Sequence, residues 1–147
     1  MTQPLSVVDA VYHKLGGHRT LGCEIASDAD LAAAVVAGIP LGALAAMRKA
    51  GFSEREIERF VIPSRTRRHH EARKEKLTLD ESDRLVRLAR IQALAEDVFE
   101  DPQKGNRWLR EELGILGGKA PLELARTEAG ARIVEQILGK IAWGAAA

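Results

Sequence analysis

The sequence predicts an all-α protein, a helix-turn-helix region joined to a helical C-terminal domain, and three observations carry that expectation. Apolar residues recur at helical spacing, as Val134, Ile137, Leu138 and Ile141 do near the C-terminus, giving each helix one stripe to bury. Helix-start chemistry repeats. Ser53 with Glu56, and Thr78 with Glu81, each fit a capping box, in which hydroxyl and carboxylate satisfy two orphan N–H groups reciprocally. Glycine and proline punctuate the periodic stretches at Gly16-Gly17, Gly38-Ile39-Pro40 and Asp101-Pro102, where a helix does not continue unchanged. These signals divide the chain into a helical extension over 1–37, the helix-turn-helix region over 38–76 and the C-terminal domain over 77–147.

Composition sets the outer limits. At 147 residues the chain has room for one domain or two very small ones. A hydrophobic share of 46% against 29% charged residues fits a soluble globular protein. With no run of eighteen apolar residues and no secretory signal pattern, neither a membrane nor export is expected, and the predicted location is the cytoplasm. The single cysteine, Cys23, excludes an intramolecular disulfide framework and fits a reducing compartment. It is expected as a small buried apolar residue rather than a nucleophile. With 4% aromatic residues the chain is poorly supplied for base stacking. The net charge of +1 conceals an uneven distribution, because residues 48–76 hold ten Lys/Arg against five Asp/Glu. Basic charge is confined to that middle segment.

Residues 5–15 set Leu5, Val8, Val11, Tyr12 and Leu15 on one helical face, which Gly16-Gly17 ends. Residues 20–25 are expected as a connector. Ser27, with Asp30 three residues on, starts a helix that runs to Ala37. This first third reads as scaffolding. Leu41, Leu44 and Met47 line the next helix, to Ala50-Gly51, and Ser53 opens another that carries Ile57 and Phe60 inward. Pro63 disfavours helix at Ile62, so 61–64 form a turn, and Ser64 is expected to cap a basic helix bearing Arg65 to His70. Two short helices so joined give a helix-turn-helix outline.

Charge on a helix is commonly no more than a solvated face. Against that reading, Arg65, Arg67, Arg68, Arg73, Lys74 and Lys76 crowd into twelve residues with only Glu71 and Glu75 between them. Arginines at the start of such a helix can fork onto guanine O6 and N7, while Ser64 and Thr66 can hold phosphates. The predicted DNA-binding set is Ser64, Arg65, Thr66, Arg67, Arg68 and Lys74. His69-His70 does not predict a metal site, since adjacent helical residues point about 100° apart.

Thr78 launches the longest helix, to about Glu100, with Leu85, Leu88, Ile91, Leu94, Ala95, Val98 and Phe99 as its apolar stripe. Arg84, Arg87 and Arg90 repeat on another side, with Asp80 and Asp83 one turn away, and read as a solvated or partner-facing row. Asp101 and Pro102 start the next helix, expected to carry Trp108, Leu109 and Leu113 and to stop at Gly114. Leu116-Gly117-Gly118 form a loop in which the glycines, Gly114 included, permit positive φ. Pro121-Leu122 start a short turn, and Thr127 caps a last helix to Trp143-Gly144.

The stretch 77–90, then Val98-Phe99, Trp108-Leu109, Leu116-Gly117-Gly118, Pro121-Leu122, Thr127, Gly130-Ala131, Val134 and Gly144, resembles the Xre/MbcA/ParS toxin-binding domain. Residues 38–76 resemble the Xre-type helix-turn-helix that precedes it. Arg65-Thr66 is followed directly by Arg67-Arg68, where such proteins commonly place a leucine and a gap before a double arginine. The resemblance implies an antitoxin of a type II operon, without cofactor, that neutralises a RES-domain NAD⁺-degrading toxin by covering its active-site entrance and binds operator DNA as an autorepressor. It implies a toxin-facing surface from Trp108, Leu116, Gly117, Pro121, Lys140, Trp143 and Gly144. Trp143 can fill a partner's pocket or fold back onto its own core, and Trp108 sits on an apolar face. A homodimer within a larger complex is expected, since a helix-turn-helix reads paired half-sites. The competing reading is a transcriptional regulator whose C-terminal domain serves only dimerisation. No nucleophile–base pair, phosphate-cradling loop or ligand cluster predicts an enzyme.

Overall fold

The computed structural model describes residues 6–144. Ten α-helices and one 3-10 turn are the regular elements among the described residues. The fold is all-α, and the chain divides into two compact units, one reaching to Ala89 and the other beginning at Arg90.

The first unit contains α1 (Val7–Lys14), α2 (Gly17–Leu21), α3 (Asp28–Ala37), α4 (Gly42–Lys49), α5 (Glu54–Phe60), α6 (Ser64–Arg73) and the first part of α7 (Leu79–Phe99). Val11, Tyr12 and Leu15 of the expected first face are buried, and Leu5 lies outside the described residues. The expected connector is shorter than its sequence suggests, because α2 occupies its start. Gly22, at φ +72°, ends α2, and the apolar anchor that follows is Ile25. Cys23 is exposed rather than buried, a correction to its expected core position.

Local chemistry explains the helix starts. Ser27 Oγ accepts from Asp30 N at 3.1 Å, and Asp30 Oδ2 accepts from Ala26 N at 2.9 Å. Both capping boxes form, with Glu56 N to Ser53 Oγ at 3.1 Å and Glu81 N to Thr78 Oγ1 at 3.2 Å, each returned by the glutamate. Ser64 does not cap α6. Pro63 is extended and its carbonyl already accepts from Arg67 N at 3.0 Å, so Ser64 is the first helical residue. Gly38 bends the chain between α3 and α4 at φ +92°, and a Cβ there would lie 2.7 Å from the Leu77 carbonyl oxygen. That approach lets Leu77 N donate to Ile39 O, while Ile39 N donates to Ser82 Oγ, each at 2.9 Å.

The second unit contains the rest of α7, α8 (Pro102–Arg110), the 3-10 turn Gly114–Leu116, α9 (Pro121–Leu124) and α10 (Glu128–Ala142). Asp101 Oδ1 caps α8 by accepting from Gln103 N at 2.9 Å. That helix ends at Arg110, short of Leu113. Leu113 is extended because its N–H donates to Lys119 O at 3.1 Å and its carbonyl accepts from Gly118 N at 2.9 Å. Gly114 is therefore not a helix stop, and only Gly117 and Gly118 of that trio take positive φ. Thr127 Oγ1 accepts from Gly130 N at 3.0 Å to open α10, whose Val134 and Leu138 are buried.

The arginine row of α7 is not a solvated stripe, and the expected pairing of Asp83 with Arg87 forms. Arg84 donates two bonds to the Val61 carbonyl, from Nε at 3.0 Å and Nη2 at 2.8 Å. Arg87 is buried and pairs with Asp83 at 2.6 Å. Arg90 reaches Glu128 at 3.5 Å and Glu135 at 2.9 Å, both on α10. Each guanidinium ties α7 to a neighbour or to its own turn.

Candidate functional site

Two surfaces carry the residues singled out by the sequence, one in each unit. In the first, α5 and α6 are joined by the turn Val61–Pro63. Val61, Ile62 and Phe60 are buried, so the turn is pinned from within. Arg65, Arg68, His69 and Ala72 are exposed and recur at i, i+3, i+4 and i+7, which places them on one outward face. Arg65 and Arg68 form no ion pair among the described residues. Ser64 and Thr66 are half-buried at the start of the helix. Lys74 closes it in the left-handed conformation at φ 54°. A row of unpaired guanidiniums on a short, anchored helix is suited to anionic and guanine-edge acceptors.

Arg67 is placed differently from its neighbours. It is half-buried, with Nη1 3.0 Å from Glu54 Oε2 and Nε 3.7 Å from Glu71 Oε1. Glu54 also pairs with Arg48 at the end of α4. His70 faces inward, with Nδ1 3.2 Å from Glu75 Oε2 and Nε2 2.9 Å from Glu81 Oε1. Glu81 is the capping-box residue of α7, so His70 fastens α6 to the start of that helix. The sequence signalled neither anchoring role. Glu54 reads as an ordinary first-turn carboxylate, and its partners come from two other helices.

The second surface is the outward side of α10 and the loop before α9. At 100° per residue, Ile133, Gln136, Lys140 and Trp143 share one side of α10, and all are exposed. Trp143 is 90% exposed at the helix end, followed by Gly144 at φ +70°. The ring does not fold back onto the core. Ile133 and Ile115, 44% and 80% exposed, are apolar residues the sequence reading did not single out. Ile133 carried a signal: it is a large apolar residue set among Arg132, Gln136 and Lys140 on the exposed side of its helix. Gly117 is exposed and Leu116 half-buried in the loop, whereas Pro121 is buried at the start of α9. Trp108 is half-buried, its ring centroid 5.6 Å from that of Phe99 at a tilt of 45°. The predicted set thus separates into the exposed Gly117, Lys140, Trp143 and Gly144, and the packed Trp108, Leu116 and Pro121. Among the described residues no group of His, Cys, Asp and Glu is arranged to hold a metal ion. No helix among them is long and apolar enough to cross a membrane.

These features define a helix-turn-helix protein that carries a separate helical interaction module. Residues 30–90 match the family described as the antitoxin Xre-like helix-turn-helix domain, and residues 94–144 match the antitoxin Xre/MbcA/ParS C-terminal toxin-binding domain. An antitoxin Xre of Pseudomonas putida is 35% identical over 121 residues, 82% of this chain and 76% of that protein. An antitoxin Xre of Photorhabdus laumondii is 30% identical over 129 residues, 86% of this chain and 87% of that protein. A Sphingobium protein named Prs ADP-ribosylating antitoxin is 31% identical over 83 residues, about half of each chain. The chain belongs to the Xre/MbcA/ParS antitoxin family. It is an antitoxin with a helix-turn-helix for DNA and a C-terminal domain for a toxin.

Proposed function

We propose that this antitoxin belongs to a type II operon, neutralises a RES-domain toxin by covering its NAD⁺ entrance with the end of α10, and represses its own operon as a homodimer within the toxin–antitoxin complex. The observation that carries the toxin-blocking reading is Trp143, a large amphipathic ring held almost wholly in solvent at the tip of a helix. A side chain of that size contributes most when it enters a partner's pocket, because binding removes its whole apolar surface from water. Lys140 lies one turn back on the same side and supplies a cation for an acidic rim. The name of the Sphingobium relative refers to ADP-ribosylation, and an NAD⁺-consuming partner for this chain agrees with it. On the DNA side, Arg65 and Arg68 reach base edges, Ser64, Thr66 and Lys74 hold phosphates, and Arg67 seats the helix.

Deleting residues 143–147 tests the reading. The shortened protein should still repress a reporter placed behind the upstream DNA but fail to rescue cells expressing the neighbouring RES-type toxin. Retained rescue would refute the blocking role of this end. Loss of repression together with rescue would favour a C-terminal domain that serves dimerisation alone.

A further inference from the structure

We propose that the groove between α1, α2 and α4 is a second DNA contact, seating the phosphate backbone beside the base pairs that α6 reads. The proposal rests on the reading of α6 as the recognition helix. The groove, about 650 Å³, is lined by His13 on α1, Arg19 and Thr20 on α2, and Gly42, Ala45 and Lys49 on α4, among others. Among the described residues no carboxylate lines it, although residues 1–47 as a whole hold four Asp/Glu against two Lys/Arg. The acidic residues of that segment, Asp9, Glu24, Asp28 and Asp30, all lie elsewhere.

Arg19 and Lys49 are exposed and form no ion pair among the described residues. That sets them apart from Arg48, Arg67, Arg84, Arg87 and Arg90, each of which is held by this chain's own acceptors. A guanidinium, an ammonium and an imidazole converging on a groove with no acid suit phosphate oxygens, which accept charge-assisted bonds from all three. Gly42 and Ala45, small and exposed, also line the neighbouring groove between α4 and α6, with Arg48, Arg67 and Glu71 on its walls. The two grooves thus flank one low stretch of α4 and lead from α6 towards α2. This continuity favours a duplex backbone over a free anion. It also gives the N-terminal segment, most of which precedes the matched helix-turn-helix region, a role in widening the DNA footprint.

The test uses the full-length protein, a duplex carrying the sequence immediately upstream of this reading frame, and a random duplex of equal length. In an Arg19→Gln/Lys49→Gln variant the slope of log affinity against log salt should become shallower by about 2, since each phosphate contact contributes about −0.9. Binding to both duplexes should weaken alike, leaving their ratio unchanged, and Arg19→Lys/Lys49→Arg should restore the slope. Both side chains are exposed, so the melting temperature should not move. An unchanged slope in the glutamine variant, with Arg68→Ala still collapsing the ratio, removes the groove and leaves the α6 reading standing. If Arg68→Ala keeps the ratio, the recognition-helix reading falls, and with it the groove's place beside that helix. Loss of toxin rescue without a change of slope would make the groove a protein contact and overturn the proposal.

Discussion

Arg67 on α6 lies 3.0 Å from Glu54 on α5, and the other oxygen of that carboxylate holds Arg48 of α4. One side chain thus gathers three helices, α4, α5 and α6, through Arg48 and Arg67. Its removal separates two effects. Charge alone predicts that Glu54→Ala binds every duplex more tightly, because a negative group is gone. Seating predicts instead that the ratio of upstream to random duplex falls, because α6 is less firmly oriented. We expect the ratio to fall, with a stability loss below about 1 kcal/mol for so exposed a pair. Competition binding at fixed salt measures it, and an unchanged ratio would deny Glu54 this role.

Arg65 and Arg68 should behave as readers rather than supports. Both are exposed and free of ion pairs among the described residues, so alanine at either should leave the melting temperature within experimental scatter. Each should remove about 1–3 kcal/mol of base discrimination if its guanidinium forks onto a guanine. A scan of base substitutions across the operator would show relaxed preference at one position for each variant. Uniform weakening without relaxed preference would reassign the residue to phosphate.

Arg84 gives a stability prediction. Its Nε and Nη2 both donate to the Val61 carbonyl, which ends α5. Arg84→Met keeps much of the side-chain stem but leaves that acceptor without its charged donors. The expected cost is about 1–3 kcal/mol, read as a lower urea midpoint at unchanged slope. A midpoint equal to that of the parent protein would mean water replaces the guanidinium without loss.

Arg84 also shows where the sequence stops being legible. Its spacing with Arg87 and Arg90 describes a row on one helix; Arg87 finds Asp83 within that helix, but the acceptors of Arg84 and Arg90 lie in the Val61 turn and on α10. Local signals held at the capping boxes of Ser53 and Thr78, the Asp101 cap and the Thr127 cap, though not at Ser64, where neighbouring Pro63 takes the cap position. They failed where a distant partner decides. Leu113 leaves the helix because Lys119 pairs with it, and Cys23 faces water because Ile25 fills the apolar position. The basic face of α6 was legible from composition alone. The division of labour within it was not, because Arg67 looks like Arg68 until Glu54 is placed.

Gly105 predicts a steric limit in the C-terminal unit. A Cβ there would stand 2.9 Å from the backbone of Ala95 and Glu96, so α8 crosses α7 at a distance only glycine allows. Gly105→Ala should cost about 1–3 kcal/mol by forcing those helices apart. Helix propensity alone favours alanine by about 1 kcal/mol. The sign of the measured change therefore decides between packing and propensity, and a stabilised variant would overturn the packing argument.

Trp143 supplies the sharpest separation of binding from folding. At 90% exposure its ring adds little to the core, so Trp143→Ala should leave thermal unfolding unchanged. If the ring enters a pocket on the toxin, truncation should weaken the complex by at least about 2 kcal/mol, roughly thirtyfold. Trp143→Phe should recover part of that loss, because a pocket shaped for an aromatic ring still gains apolar area. Affinity for the upstream duplex should stay at the parent value in both variants, since α6 lies in the other compact unit. Titration of purified toxin, followed by its NAD⁺ consumption, measures the first effect, and salt-matched DNA binding measures the second. Should Trp143→Ala inhibit the toxin as well as the parent protein does, the inhibitory contact must be sought on the side of α10 that carries Ile133 and Lys140, or in the loop around Ile115.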